Sequence, residues 1–496
     1  MELINGFLSI SQFSTIVLII GGVLLGIVFG SIPGLSAFTG LALTLPLTFG
    51  MTPINGLSFL LAIYVGGVSG GLISAILLGI PGTPSSIATC FDGTPMARNG
   101  EAAKALGVGI VFSFLGGIFS AIVLTYFGPT LARVALKFSP YEYVAIILFS
   151  LTTVSSLASG NITRGLISSL LGISLSFVGI DKFTAYARYT FGFSELNNGF
   201  NLIPLMIGVF AVSQILEVAA EEKKNISTGN VEMIKFKGFG FSFKEFKSQI
   251  SNAICAALIG LGVGILPGIG GNVSNMMSYA FVKKRSKYPE KFGTGIIDGI
   301  VASETSNNAA VGGALIILMV LGIPGDNATS MILAGFLIHG ITPGPLLFST
   351  SASLVYAVFA AFIVANIVML ISEFLGLRLF TKILSVPKSI LLPIVIIFCF
   401  IGSFAANNRL FDIGVMVAFG FIAYILKRFN YPLSPLVVSF ILAPLFEENL
   451  RRSLMRSDGS LMPILTSPIA LVFLALTVAV VIFAYISEKK VTKIDA

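Results

Sequence analysis

Apolar stretches without charged residues recur along almost the whole chain. Many reach about 20 residues, the length at which a helix crosses the hydrocarbon core of a membrane. Such segments must be helical in lipid, because each backbone N–H and C=O needs a partner within the segment. An outer-membrane barrel would show short segments of alternating hydrophobicity instead. The pattern therefore predicts an all-α polytopic membrane protein with about 11–12 transmembrane helices.

Apolar runs and interrupted segments follow one another in the same order in two halves of the chain. In each half, an apolar pair broken by Pro-Gly is followed by five candidate crossings, and a Pro/Gly-rich segment after the first crossing is predicted to be re-entrant. In the first half these are the pair 14–50, the crossings 56–80, 105–130, 140–158, 164–180 and 200–219, and the re-entrant segment 81–97. In the second half they are the pair 251–282, the crossings 297–323, 351–377, 388–405, 411–427 and 432–446, and the re-entrant segment 324–348, and a last run, 463–487, has no counterpart.

Two short motifs occur twice and indicate a duplication. The sequence GSIPG at Gly30–Gly34 is echoed by GILPG at Gly264–Gly268, and LGIPG occurs at both Leu78–Gly82 and Leu321–Gly325. Each half is predicted to cross the membrane an odd number of times, which would invert the second half relative to the first. The fold prediction is therefore two inverted structural repeats with broken, re-entrant helices.

The duplication also sets the predicted domain boundaries. Residues 1–220 form the first transmembrane repeat, and the polar, Lys-rich segment 221–250 is a cytoplasmic linker. Residues 251–447 form the second repeat, and 448–496 add a further transmembrane helix and a tail.

Charge is scarce and unevenly placed. Charged residues make up 10% of the chain and hydrophobic residues 55%, whereas soluble domains are about a quarter charged. The net charge of +8 comes largely from basic residues in short segments between apolar runs, which favours the positive-inside bias over nucleic-acid binding. We expect a multi-pass protein of the inner (cytoplasmic) membrane, with its amino terminus outside and its carboxyl terminus inside.

The four Pro-Gly breaks are the candidate substrate site. A broken helix leaves unpaired N–H groups at a positive helix end, so an anion can bind there without a buried Lys or Arg. Hydroxyl and amide residues follow each break. Ordinary kinks are the alternative, although two matched pairs favour a secondary transporter. The predicted substrate-binding residues are Pro33, Gly34, Ser36, Thr39, Pro81, Gly82, Thr83, Ser85, Ser86, Pro267, Gly268, Asn272, Pro324, Gly325 and Asn327.

One acidic residue inside an apolar segment suggests ion coupling. Glu304 lies within the predicted crossing 297–323, and intramembrane acids are functional candidates. With Asn307, Asn308 and Asp326, it is predicted to couple transport to Na⁺ or H⁺. The alternatives are that Glu304 joins helices by hydrogen bonds and that Asp326 caps a helix. We expect no catalytic residue, no metal site apart from this possible Na⁺, and no other cofactor.

Two function classes other than a secondary transporter are alternatives. The GVSG sequence at Gly67–Gly70 and the single histidine, His339, would suit an intramembrane serine hydrolase that uses Ser69 as its nucleophile. That activity needs serine and base within hydrogen-bond reach. A passive anion channel is the other alternative.

Several long motifs resemble the large membrane (permease) subunit of the tripartite tricarboxylate transporter family. They are IPGLSAFTG and its continuation to Pro53, the segment Tyr64–Gly107, ASETSNNAAVGG at Ala302–Gly313, and GITPGPLLF at Gly340–Phe348. The resemblance implies an ion-gradient-driven importer of citrate-like tricarboxylates or other carboxylates. It also implies a small membrane subunit, a periplasmic solute-binding protein and an elevator motion. The sequence departs from the expected pattern at Asp326, where the family would have a small hydroxyl residue.

Overall fold

The computed structural model describes residues 2–33, 35–157, 161–220, 239–268, 270–383 and 388–492. Helices dominate this part of the chain. They are α1 Glu2–Ile10, α2 Phe13–Ser31, α3 Ala37–Thr44, α4 Pro53–Leu77, α5 Ile87–Met96, α6 Ala102–Ala135, α7 Pro140–Leu157, α8 Ile162–Ser176, α9 Leu202–Met206, α10 Ser213–Ala220, α11 Phe243–Gly264, α12 Gly270–Arg285, α13 Ile297–Leu321, α14 Asn327–Ile338, α15 Leu347–Thr350, α16 Ala352–Ile383, α17 Lys388–Asn407, α18 Leu410–Arg428, α19 Leu433–Arg456, α20 Met462–Thr466 and α21 Pro468–Thr492.

Within the described ranges, nine helices are long and apolar enough to cross a membrane. Five further apolar helices are shorter, among them α8 and α14. The only paired strands in these ranges are β1, Gly179–Ile180, and β2, Ala187–Arg188, which form one antiparallel hairpin. The prediction of an all-α polytopic membrane protein is therefore confirmed.

Most helix boundaries lie near the ends predicted from hydropathy. An exception is the predicted crossing 164–180, where α8 ends at Ser176 and the hairpin follows. The predicted linker 221–250 has a helical end, because α11 begins at Phe243. Ser242 caps that helix, and the Glu245 side chain returns a bond to the Ser242 N–H, an arrangement that satisfies otherwise unpaired donors. Residues 221–238 lie outside the described ranges.

The chain divides into two compact units, and each draws on both predicted halves. Unit 1 comprises Met1–Ala132, Val218–Leu266 and Gly270–Phe398. Unit 2 comprises Arg133–Glu217, Pro267–Ile269 and Cys399–Ala496. Glu304, Glu373 and three of the four Pro-Gly breaks belong to unit 1.

Unit 1 has the same close helix crossing in each half. In the first half, a methyl group added to Gly26 would lie 2.4 Å from the carbonyl oxygen of Ile63, and one added to Gly30 would lie 2.1 Å from that of Gly67. The helices α2 and α4 therefore meet backbone to backbone, as small residues four positions apart permit in membrane proteins.

The second half repeats this crossing with α11 and α13. A methyl group on Gly260 would lie 2.2 Å from the carbonyl oxygen of Ser306, and one on Gly264 would lie 2.4 Å from that of Ala310. The duplicated motifs thus produce duplicated packing.

Unit 2 is held partly by ion pairs around the β1–β2 hairpin. Arg188 binds Glu447 with N–O distances of 2.8 and 3.3 Å, and Arg451 bridges Asp181 at 3.0 Å and Glu447 at 2.6 Å. The two arginines lie over the rings of Phe177 and Phe183. These contacts tie the hairpin to α19.

Candidate substrate and ion site

Both LGIPG breaks are packed against the first Pro-Gly helix of their own half. A methyl group on Gly82 would lie 2.2 Å from the carbonyl oxygen of Gly30, and one on Gly325 would lie 3.1 Å from that of Gly264 and 2.6 Å from the Cα of Ala314. Backbone approach between helices thus explains the need for glycine at both positions.

After each break, the chain packs on the opposite half. The turn Pro84–Ser86 and α5 pack against α13 and α12 of the second half as well as against α4 of their own half. Likewise, α14 packs against α4 and α3 of the first half as well as against α13. Each broken segment therefore contacts both halves inside unit 1.

Three of the four breaks open into a capped helix or turn. Ser36 caps α3, Thr83 caps the turn Pro84–Ser86, and Asp326 caps α14. A cap of this kind accepts a hydrogen bond from a backbone N–H near the helix start. In this conformation, the predicted anion-binding ends are therefore partly occupied by their own side chains.

The predicted residues at the remaining positions differ in their surroundings. Gly34 lies outside the described residues. Pro267 and Gly268 belong to unit 2, where a methyl group on Gly268 would lie 2.0 Å from a methyl carbon of Val154. Asn272 is exposed, whereas Asn275, one helical turn further on, is fully buried.

A polar junction forms where the first re-entrant segment meets α12 and α13. The amide nitrogen of Asn275 donates to the backbone carbonyl of Ser85. A methyl group on Gly271 would lie 2.6 Å from Oδ1 of Asn307 and 3.2 Å from Cβ of Ser85. The amide nitrogen of Asn307 donates to the carbonyl of Val68 at 3.4 Å. Residues from both halves therefore meet at Ser85.

Several oxygen atoms in this part of unit 1 are buried without a hydrogen-bond partner among the described residues. They are Oδ1 of Asn275, Oδ1 of Asn307, and the hydroxyl oxygens of Ser74, Thr305 and Ser306. Buried polar atoms nearly always have partners, so this group of unpaired oxygens is a candidate position for a ligand, an ion or water.

Asp326 has a defined structural role. Its Oδ1 accepts from the backbone N–H of Thr329 at 2.8 Å, which is a helix cap, and its Oδ2 accepts from the hydroxyl of Tyr64 at 2.5 Å. Asp326 therefore caps α14, which is the alternative role that the sequence suggested for it. Tyr64 was not predicted.

Glu304 is fully buried and held by hydroxyl groups. Thr89 donates to its Oε1 at 2.5 Å and Ser113 to its Oε2 at 2.9 Å. Asn308 donates to the backbone carbonyl of Glu304 rather than to its carboxylate. The coupling set predicted from sequence is therefore not gathered around this carboxylate in this conformation.

Glu373 on α16 is an acidic residue that sequence reasoning missed. It is fully buried, and the hydroxyl of Ser69 donates to its Oε2 at 3.0 Å. It also interacts electrostatically with Glu304. An acid inside the apolar run 351–377 was the available signal, by the same rule that identified Glu304.

The geometry does not support the serine hydrolase. His339 ends α14, and its Nε2 lies 2.3 Å from where a methyl group on Gly56 would be. Ser69 lies on the same helix as Gly56 but about 20 Å further along it, at 1.5 Å per residue. Ser69 donates to Glu373 instead, so serine and histidine are too far apart for a dyad.

Comparison with known proteins agrees with the resemblance seen in the motifs. The model of the tripartite tricarboxylate transporter TctA family matches residues 16–438. An uncharacterized 52.8 kDa protein in the TAR-I ttuC' 3' region of Agrobacterium vitis is 35% identical over 463 residues, covering 93% of this chain and 91% of that protein. An uncharacterized protein in the TAR-II ttuC' 3' region of Agrobacterium vitis is 36% identical over 222 residues, covering 45% of this chain and 92% of that protein. No solved structure matches significantly. The chain belongs to the tripartite tricarboxylate transporter TctA family.

Proposed function

We propose that this chain is the permease subunit of a secondary transporter that imports small carboxylate anions across the inner membrane. The coupling ion is Na⁺ or H⁺. A periplasmic solute-binding protein delivers the substrate, and a small membrane subunit completes the complex. Citrate-like tricarboxylates and dicarboxylates are the substrate class, and an elevator motion provides alternating access.

The observation that carries the proposal is the polar junction at Ser85. The first re-entrant segment meets α12 and α13 of the second half there. Several buried oxygen atoms nearby have no hydrogen-bond partner among the described residues. Broken helices at matching positions are where secondary transporters bind substrate.

The anion must be bound by groups other than basic side chains. Among the described residues, no Lys or Arg is buried. The negative charge is therefore stabilised by backbone N–H groups and hydroxyls at the starts of the broken segments. The proposed ligands are the predicted substrate-binding residues that the structure describes in unit 1, joined by Asn275 and Ser74. Their caps must open to release N–H groups to the substrate.

Uptake of labelled carboxylates into proteoliposomes tests this function. Exchange of external labelled citrate for internal unlabelled citrate requires only binding and alternating access. The assay is run with and without Na⁺ and the solute-binding protein, and a set of tricarboxylates and dicarboxylates replaces citrate in turn. If no carboxylate exchanges under any of these conditions, the proposed function is wrong.

Ser85→Ala should lower exchange sharply, because Ser85 lies at the junction. Ser174→Ala is the matched control, since Ser174 is exposed and its hydroxyl bonds only to the carbonyl of Leu170 in its own helix. Accumulation against a gradient separates a transporter from the passive channel, which can only equilibrate its solute.

A further inference from the structure

We propose that Glu373 carries the proton that drives transport, with Ser69 positioning its carboxyl group and Glu304 as the neighbouring charge. This inference rests on the proposed function and makes it specific, because it selects H⁺ over Na⁺ and assigns the ion to a residue outside the predicted coupling set.

The first argument is the charge balance of the site. Glu304 and Glu373 are both 0% exposed, and neither takes part in an ion pair among the described residues. Burying an ionised carboxylate without a counter-charge is costly, and the usual result is that the group takes up a proton. Two interacting carboxylates would carry a charge of −2. One proton lowers this charge to −1, and the charge that remains on Glu304 is stabilised by its two hydroxyl donors.

The hydrogen bonds indicate which carboxyl group takes the proton. Both oxygens of Glu304 accept from hydroxyls, those of Thr89 and Ser113, and such donors stabilise the ionised form. Glu373 accepts only through Oε2, from Ser69, and its Oε1 is buried without a partner. A proton can be added to Oε1 of Glu373 without displacing a donor, because this atom accepts no hydrogen bond among the described residues. On Glu304, each oxygen already accepts from a hydroxyl.

No described basic group competes for Glu373. Apart from Glu373 itself, the described ionisable side chains on α16 and on the elements packed against it are Glu2 on α1, Tyr64 on α4, Lys104, Tyr126 and the exposed Arg133 on α6, and Tyr356 on α16. Tyr64 already donates to Asp326, and the ammonium group of Lys104 binds Glu245 at 2.8 Å. The described ionisable group that acts electrostatically on Glu373 is Glu304.

The proton site is connected to the proposed anion site through one helix. Thr89, which donates to Glu304, lies on α5, and this helix directly follows the turn Pro84–Ser86. Its hydroxyl also lies 3.0 Å from that of Ser303 on α13. A proton on Oε1 of Glu373 lowers the negative charge around Glu304, so an anion can approach the start of α5 with less repulsion. Release of this proton inside would favour release of the anion.

Glu373→Gln tests the proposal in the full chain, because glutamine resembles the protonated acid but cannot release a proton. With labelled citrate as the probe, we expect the variant to retain citrate exchange and to lose accumulation driven by an inward proton gradient. Glu290→Gln is the matched control, since Glu290 is exposed, and it should behave as the wild type. Unchanged proton-driven accumulation in Glu373→Gln, or accumulation driven by Na⁺ without pH dependence, would overturn the proposal.

Infrared difference spectroscopy tests the proton site without any substrate. Between near-neutral and alkaline buffers, in which exposed carboxyl groups stay ionised, the purified wild-type chain should show the C=O stretching band of a protonated carboxylic acid. Glu373→Gln should lose this band and Glu290→Gln should keep it.

If Glu373→Gln does not fold, Ser69→Ala serves instead, because losing the only described donor to Glu373 should shift the band and the pH at which it disappears. A band unaffected by Glu373→Gln or Ser69→Ala contradicts the assignment. If the wild-type chain shows this band but does not exchange citrate, the proposed citrate transport is wrong and the assignment of the proton to Glu373 still stands.

Discussion

Two acidic residues of unit 1 and two of unit 2 are held in opposite ways. In unit 2, Asp181 and Glu447 are paired with arginines at 2.6–3.3 Å. In unit 1, Glu304 and Glu373 are fully buried and are held by hydroxyls alone. One set is neutralised by partners within the chain, and the other is not.

Under the proposed function, this difference separates acids that stabilise the fold from acids that couple transport to an ion. A paired acid has its charge balanced permanently, and its contribution is to hold helices and loops together. A hydroxyl orients a carboxylate but cannot balance its charge, so the balance must come from a proton or a bound ion. Intramembrane acids of that kind are the ones that couple transport to an ion gradient.

The largest expected effect is the loss of coupling when a hydroxyl-held acid is neutralised. Glu304→Gln should change the pH dependence of citrate uptake, because it removes the charge that acts on Glu373, while the thermal stability should stay close to that of the wild type. Uptake over a range of pH and melting temperature would be measured on the same preparations. An unchanged pH profile would make Glu304 a purely structural residue.

Glu447→Gln should have the reverse outcome. It leaves Arg188 and Arg451 without their shared partner, so the free energy of unfolding should fall by about 1–3 kcal/mol, between the values for exposed and for buried ion pairs. The pH profile of uptake should not change. Thermal unfolding in detergent measures the first effect, and a shifted uptake profile would remove the distinction between the units.

The burial of Glu304 and Glu373 in unit 1 depends on helices whose backbones are in contact. Gly82→Ala would place a methyl group 2.2 Å from a carbonyl oxygen, and overpacking of this kind costs about 1–3 kcal/mol. Gly262→Ala is the control, because nothing lies within 4 Å of its added methyl group. A mid-helix Gly→Ala change at an open position should instead stabilise by about 0.5–1 kcal/mol. If Gly82→Ala and Gly262→Ala change the melting temperature equally, the close packing at Gly82 is not rigid.

The smallest effect concerns pH and the hairpin of unit 2. The Phe183 N–H and the Thr184 hydroxyl, together with Arg451, lower the pKa of Asp181 to about 2, below its usual value of about 3.9. A lowered pKa stabilises the fold above the unfolded value, so this contribution is complete above about pH 4 and is lost as the pH falls towards 2. Asp181→Asn should flatten the dependence of melting temperature on pH in this range, and the exposed Asp458→Asn should not. A wild-type curve that is already flat would contradict the role of Asp181.

Hydropathy alone predicted most of the fold. Apolar runs marked α4, α13 and α16 within a few residues, because a lipid-embedded segment of that length has only one way to satisfy its backbone. The β1–β2 hairpin was missed, since two-residue strands have no measurable periodicity.

The residues of the candidate site differ in how readily the sequence reveals them. Ser85, Asn307 and Glu304 could be found because polar residues stand out in apolar segments. Asn275 and Tyr64 could not be ranked, because their partners come from the other half of the chain and depend on how the broken segments pack against both halves. Glu373 could have been found from its charge alone.

Proton movement during citrate transport tests the central claim most directly. Proteoliposomes that contain the full chain and an internal pH indicator are mixed with citrate in the absence of Na⁺. The account predicts that citrate entry acidifies the interior, that Glu373→Gln abolishes this acidification, and that Glu447→Gln leaves it unchanged. Citrate entry without acidification, or equal acidification in Glu373→Gln, would contradict it.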